Sequence, residues 1–227
     1  MNWKKKRVLL TGSTGTLGKE LLALLREKGA SMMYPSRQEW NLETFPCGLA
    51  MPYPPDIIIH CAAYTDVAKA EKERKECVQT NIYGTETVAI LAKKYGSKMV
   101  YISSDYVNTH PMGFYAFTKK AGEAFVPQKG LIIRTSFKPR GMWGENKLKG
   151  VFHPVKTNAD WVDVIAPKIL EVVEKEKTGV VNIGTKSKFL KDLAISEYPE
   201  VEDIPVHKAD ELLGYIYPRD TTMELTI

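Results

Sequence analysis

Tyr115 and Lys119 sit four positions apart in "YAFTK" (115–119), and together they could move a proton. A phenol with its ordinary pKa of ~10 is a weak acid at neutral pH. An ammonium one helical turn onward stabilises the phenolate, which makes the phenol a better donor to a developing alkoxide. The same spacing also describes one turn of an ordinary surface helix. With eleven tyrosines and 25 lysines among 227 residues, about one such pair arises by chance. The choice between these readings rests on the elements that carry the pair.

Those elements alternate. A β-rich run, "RVLLT" (7–11), meets the glycine-rich turn "GSTG" (12–15). A helix then begins at Leu17, with Leu21, Leu24 and Leu25 on one face, and stops at Gly29. A second strand is expected over 31–34, ended by Pro35, and the proline-bearing stretch 42–55 reads as a connection. "DIIIH" (56–60) is a continuous apolar run, as in a strand buried on both faces. A charged stretch leads into a long helix whose expected apolar stripe is Val78, Ile82, Ala89 and Ala92, closed by Tyr95 and Gly96. Strands at 98–104 and 131–136 flank a helix over 115–126 that carries the Tyr–Lys pair. Beyond residue 137 the pattern loosens into a basic, turn-rich connection, a helix over 160–175, a strand over 179–184 and a tail with Pro199, Pro205 and Pro218. Trp161, Ile165, Ile169 and Val172 share a face of that helix. Strands alternating with helices predict an α/β fold with a doubly wound parallel sheet of Rossmann type.

The turn after the first strand specifies a ligand. Gly12, Gly15 and Gly18 frame Ser13, Thr14, Thr16 and Leu17 between strand and helix. That arrangement suits a tight turn, a backbone pressed against a pyrophosphate and close helix–strand packing. The helix N-terminus adds free N–H groups and a positive dipole end. Dinucleotide binding is therefore expected at these seven residues. At the end of the second strand, Ser36 and Arg37 replace the acid that holds a ribose diol, which favours NADP(H). Glu39 lies slightly further on and keeps NAD(H) open.

Bulk properties exclude other classes. The chain is 44% apolar and 26% charged with a net charge of +5, and its one basic cluster, Lys4 to Arg7, directly precedes a strand. Neither a nucleic-acid partner nor a membrane partner is expected. Three cysteines, Cys47, Cys61 and Cys77, form no C-x-x-C, and no histidine pair has metal-ligand spacing. No disulfide framework or metal is expected, and the compartment expected is the reducing cytoplasm. Residues 1–10 hold only Val8, Leu9 and Leu10 after their charges, too short for a signal peptide's apolar core.

Four stretches together resemble the extended short-chain dehydrogenase/reductase superfamily, in its dTDP-4-dehydrorhamnose reductase (sugar-nucleotide reductase) branch. They are "TGSTGTLGKEL" (11–21), "HCAAYTDVAKAE" (60–71), "TNIYGTETVAILA" (80–92), and "YISSDYV" (101–107) followed by "YAFTKKAGE" (115–123). Weaker echoes are "RTSF" (134–137), "TNADWVDVIAPKIL" (157–170) and "PRD" (218–220). The resemblance implies a catalytic set of Ser104, Tyr115 and Lys119, with Ser103 as the alternative serine and Lys119 also reaching the cofactor. It implies that Cys61, Ala62, Ala63 and Tyr64 lie along the cofactor. Ser103, Asp105, Tyr106 and Arg134 are implied substrate contacts, and Asn81 matches a position that is mainly structural.

The sequence also departs from the pattern. The segment "NTHPMGF" (108–114) is much shorter than the loop that shapes the sugar-nucleotide pocket, and the region after Phe137 lacks the helix that usually precedes the "TNADW" stretch (157–161). Asn41 stands where an aspartate is usual. The expected division is an NADP(H)-binding Rossmann domain over 1–137 and an abbreviated substrate lobe over 138–227, interleaved with the last sheet elements. The implied activity is NADPH-dependent reduction of a nucleotide-linked 4-keto sugar, with Tyr115 as proton donor. Two alternatives stand beside it: an NAD-dependent sugar-nucleotide epimerase or dehydratase, and an NADP-binding regulatory subunit with reduced catalysis. Either a homodimer or a monomer is compatible with the shortened loops.

Overall fold

The computed structural model describes residues 1–40 and 51–226. Asn41, Cys47 and the first part of the proline-bearing connection lie outside the described residues. The strands are β1 (Arg7–Thr11), β2 (Ser31–Met33), β3 (Ile57–His60), β4 (Lys98–Ser104), β5 (Leu131–Thr135), β6 (Phe137–Lys138), β7 (Gly150–His153), β8 (Lys156–Thr157), β9 (Asp160–Trp161), β10 (Gly179–Ile183), β11 (Lys188–Phe189) and β12 (Glu202–Pro205). The helices are α1 (Thr16–Glu27), α2 (Val67–Ala70), α3 (Arg74–Val78), α4 (Gly84–Tyr95), α5 (Phe114–Glu123), α6 (Val162–Glu174), α7 (Leu190–Ile195) and α8 (His207–Leu213).

Six strands form one sheet in the order β2-β1-β3-β4-β5-β10, parallel throughout. Strand β1 pairs β2 on one side and β3 on the other, so the chain reverses its direction of travel there. That switch opens a crevice beyond the C-terminal ends of β1 and β3, where open α/β sheets take ligands. The side-chain period of two divides each buried strand between two cores. Val8, Leu10, Ile57, Ile59, Val100 and Ile102 pack with α1 and α6. Leu9, Ile58, Met99 and Tyr101 pack with α4 on the other face.

Residues after 137 divide between two places. Helix α6 and strand β10 complete the sheet and its first core. Most of the remainder surrounds a second cluster with Trp143, Val151, Trp161, Leu190 and Tyr217. Strand pairs β6–β9, β7–β12 and β8–β11 frame this lobe.

One expected helix face differs. Residues 74–95 form α3, a π-helical turn over Gln79–Tyr83, and α4. Ala89 and Ala92 are buried as expected, but Val78 and Ile82 are only half-buried, and that part of the buried line runs instead through Cys77, Asn81, Thr85 and Val88. Apolar spacing could not show this, because the π turn rotates the helix face and two of its buried positions are polar. Asn81 and Thr85 tolerate burial because both are hydrogen-bonded.

Candidate active site

The crevice is a cleft of about 440 Å³. Its floor is the turn after β1. Gly12 adopts φ +68°, and a Cβ there would lie 2.6 Å from the Ala62 nitrogen. A Cβ on Gly18 would lie 2.0 Å from the Gly12 carbonyl oxygen, so helix α1 can approach the turn only with glycine at both positions. Gly15 is the N-cap of α1 and supplies no side-chain acceptor to the helix N–H groups. Thr14, Gly15, Thr16 and Leu17 line the cleft above that end. Ser13 also lines it, while its hydroxyl donates to the Tyr34 carbonyl at 3.3 Å and ties the turn to the end of β2. A diphosphate fits this cradle: free N–H groups, no opposing carboxylate and no Cβ in the way.

Beyond β2, Arg37 and Trp40 line the same cleft. Ser36 does not. Its backbone N–H donates to the Glu39 carboxylate at 2.7 Å, and its hydroxyl accepts from the Glu39 N–H at 3.3 Å. These hydrogen bonds from Ser36 hold the Glu39 carboxyl below its usual pKa range.

After β3, Cys61, Ala62 and Ala63 line the cleft, whereas Tyr64 points away and donates to Glu73 at 2.5 Å. Burial pushes the Cys61 thiol up to about 12, against the pull of Lys119, so it stays protonated. Two buried networks fix this wall. His60 accepts from Thr11 at 2.7 Å, and its other ring nitrogen meets Thr85 at 3.1 Å. Thr85 donates to the Asn81 carbonyl, so it accepts from His60 and the ring carries its proton on Nε2. Burial first, and Lys119 second, push the His60 pKa down to about 3, which keeps the ring neutral. The Asn81 amide clasps both backbone groups of Tyr64, at 2.8 and 3.1 Å, and donates to Thr118 on α5 at 3.0 Å.

Ser104, Tyr115 and Lys119 meet at the opposite wall. Ser104 ends β4, and Tyr115 lies in the first turn of α5. The Ser104 hydroxyl donates to Asp105 at 3.1 Å and accepts from the Tyr106 N–H at 3.2 Å. Burial raises the pKa of the half-buried Tyr115 phenol, the neighbouring Ser104 pulls it back, and Asp105 pushes it up again. Lys119 is 2% exposed, and its Nζ stands 4.2 Å from the centre of the Tyr101 ring. Burial lowers its pKa from 10.5 to about 7, against the opposing pull of Cys61 and Glu123. A buried cation resting on a ring is an electrostatic group awaiting an anion or a hydroxyl.

The other implied contacts split. Asp105 and Tyr106 line the cleft, and the Tyr106 ring packs edge-on to Tyr115 at 6.4 Å. The Tyr106 hydroxyl meets that of Tyr217 at 2.7 Å, joining the second lobe to the site. Ser103 borders the cleft but donates its hydroxyl to Glu123 at 2.8 Å. Arg134 does not line the cleft; its guanidinium forks onto Glu123 at 2.7 and 2.8 Å and donates to Asn108. Sequence reading passed over the Thr11–His60–Thr85 chain and the cleft residues Trp40, Thr135 and Lys138. For Lys138 a signal existed, a charge just past a strand that ends at the site.

Among the described residues, no cluster of His, Cys, Asp and Glu could hold a metal ion, and no helix is long and apolar enough to cross a membrane.

The model of the RmlD substrate binding domain matches residues 6–166. The dTDP-4-dehydrorhamnose reductase of Mycobacterium tuberculosis (strain ATCC 25618 / H37Rv) is 27% identical over 166 residues, which are 64% of this chain and 55% of that protein. Methionine adenosyltransferase 2 subunit beta of Xenopus laevis is 31% identical over 144 residues, 54% of this chain and 43% of that protein. The chain thus spans about half the length of the curated relatives it matches. The crystal structure of dTDP-4-dehydrorhamnose reductase from Bacillus anthracis str. Ames in complex with NADP is similar at a TM-score of 0.85 and 26% identity, covering 98% of this chain and 91% of that one. The parallel sheet, its switch point and these likenesses define an extended short-chain dehydrogenase/reductase. Within that superfamily, the chain belongs to the RmlD substrate-binding-domain family.

Proposed function

We propose that this protein is an NADPH-dependent reductase of a nucleotide-linked 4-keto sugar of the dTDP-4-dehydrorhamnose type. One observation carries the reading: Ser104, Tyr115 and Lys119 converge on the same cleft as the glycine turn. In the residues' own terms, the turn at 12–18 holds a diphosphate on the end of α1. Arg37, which lines the cleft, would hold a 2′-phosphate, and the engagement of Glu39 with Ser36 supports NADPH over NADH. When bound, NADPH supplies a hydride. Ser104 orients the substrate carbonyl through its hydroxyl, and Tyr115 donates its proton to the oxygen as negative charge develops there. Lys119, at the next turn of α5, stabilises the phenolate that remains. Burial makes the phenol a weak acid on its own, so this neighbouring charge matters more than it would in water.

The likeness to a methionine adenosyltransferase subunit supports a second reading, a nucleotide-binding subunit without turnover. The test is to incubate the protein with NADPH and a panel of nucleotide-linked 4-keto sugars, following loss of the reduced nicotinamide absorbance. Turnover is expected on at least one thymidine diphosphate sugar. Tight NADPH binding with no turnover on any member would favour the subunit.

A further inference from the structure

One corner of the cleft holds polar groups that the proposed proton transfer does not use. Asp105 is 2% exposed and Thr135 is 3% exposed, yet Asp105 Oδ2 and Thr135 Oγ1 have no hydrogen-bond partner. Thr135 pairs in register with Ser104, so both side chains leave the sheet on the same face. Lys138 lines the cleft beside them, held by the β6–β9 pairing in which it lies opposite Trp161. Burial lowers the Lys138 pKa against the pull of Asp105, and burial raises the Asp105 carboxyl against the Thr221 hydroxyl first and Lys138 second. The two charges therefore feel each other, but no ion pair within contact distance neutralises them. Thr221, which bonds the Lys156 carbonyl and the Thr157 hydroxyl, closes the far side of Asp105.

An unpartnered ammonium, carboxylate oxygen and hydroxyl in one corner ask for a ligand that both donates and accepts. A sugar hydroxyl does both. A carboxylate or phosphate would satisfy Lys138 but press its charge against Asp105. Asp105 follows Ser104 directly in the chain, so the ligand group it meets lies next to the carbonyl that Ser104 holds. Resting on the reductase reading above, we propose that Lys138, with Asp105 and Thr135, reads a hydroxyl on the carbon adjacent to the substrate carbonyl. Lys138 is thus a specificity-determining residue, and Asp105 beside it disfavours an acidic sugar against a neutral hydroxylated one.

The experiment is calorimetric titration of the NADP-loaded protein with thymidine diphosphate-rhamnose and with thymidine diphosphate alone. It uses wild type, Lys138→Met and Lys138→Gln, with turnover of the keto sugar measured separately. Lys138→Met should weaken the sugar nucleotide about 10- to 100-fold, the span of a hydrogen bond to a charged group. Thymidine diphosphate should bind both proteins within about twofold. Lys138→Gln keeps a donor and should lose less; it carries the test alone if Lys138→Met does not fold. Equal weakening of both ligands would assign Lys138 to the diphosphate and overturn the proposal, as would unchanged sugar-nucleotide binding. Lys138-dependent sugar binding in a wild-type protein that never oxidises NADPH would instead overturn the reductase reading and leave this corner standing.

Discussion

Ser103 and Ser104 are neighbours on β4, yet they leave the sheet on opposite faces and join two kinds of polar cluster. Ser103 faces Glu123, which also takes the Arg134 fork and Lys120. Burial pushes the Glu123 carboxyl up, but Arg134, Ser103 and Lys120 pull it below its usual range. Ser104 faces the cleft, where Asp105 keeps an unpartnered oxygen, Lys119 rests on a ring, and the Tyr115 phenol is raised. Polar groups that fold into a sheet and pair fully stabilise it. Polar groups equally buried but left with open valences cost stability, and the fold keeps them where a ligand can complete them.

Substitutions on the two faces should therefore separate activity from stability. The largest effect is expected at Tyr115→Phe, which should lower kcat about 10²- to 10⁴-fold in steady-state assays while NADPH affinity and melting temperature stay near wild type. Next is Arg134→Met on the paired face. With side chains only 14% and 7% exposed, the Arg134–Glu123 pair is buried, and losing the fork while Lys120 and Ser103 stay on the carboxylate should cost about 1.5–3 kcal/mol in denaturant unfolding. An Arg134→Met protein that keeps its stability but loses activity would break the comparison. Ser104→Ala should reduce kcat/KM about 10- to 100-fold, whereas Ser103→Ala should leave kcat/KM unchanged and lower stability by about 1–2 kcal/mol.

The last effect is a slope. Folded Lys119 loses its proton near pH 7, while the unfolded lysine keeps it to 10.5. Across that window the unfolded chain binds more protons, so stability from this group rises with pH, by at most ~1.4 kcal/mol per pH unit. The cost is fully present below pH 7. Lys119→Met should remove the slope and stabilise most at pH 7 and below, as read from chemical unfolding at several pH values.

Much of this was legible in the residues. "DIIIH" and "KMVYISS" read as buried parallel strands because apolar runs bounded by turns have few other uses. The three glycines were legible because their spacing between strand and helix has a steric cause, which the Gly12–Ala62 and Gly18–Gly12 approaches supply. Whether Ser103 or Ser104 faces the cleft was not legible, since a strand's register decides it and either serine fits the motif. Arg134, within β5, was implied as a substrate contact by the resemblance, and the structure pairs it with Glu123, eleven residues upstream on α5. The Lys138–Asp105–Thr135 corner needs the end of β4 brought against the stretch 135–138, and only the charge just past β5 hints at it in the sequence.

The most direct measurement follows the hydride itself. The protein is mixed with NADPH deuterated at the nicotinamide C4 and a thymidine diphosphate 4-keto sugar, and the sugar is analysed by mass spectrometry. The account predicts a reduced sugar carrying the deuteron with wild type, and almost none with Tyr115→Phe loaded with the same cofactor. An unreacted sugar in the wild-type mixture, or equal labelling by Tyr115→Phe, would contradict it.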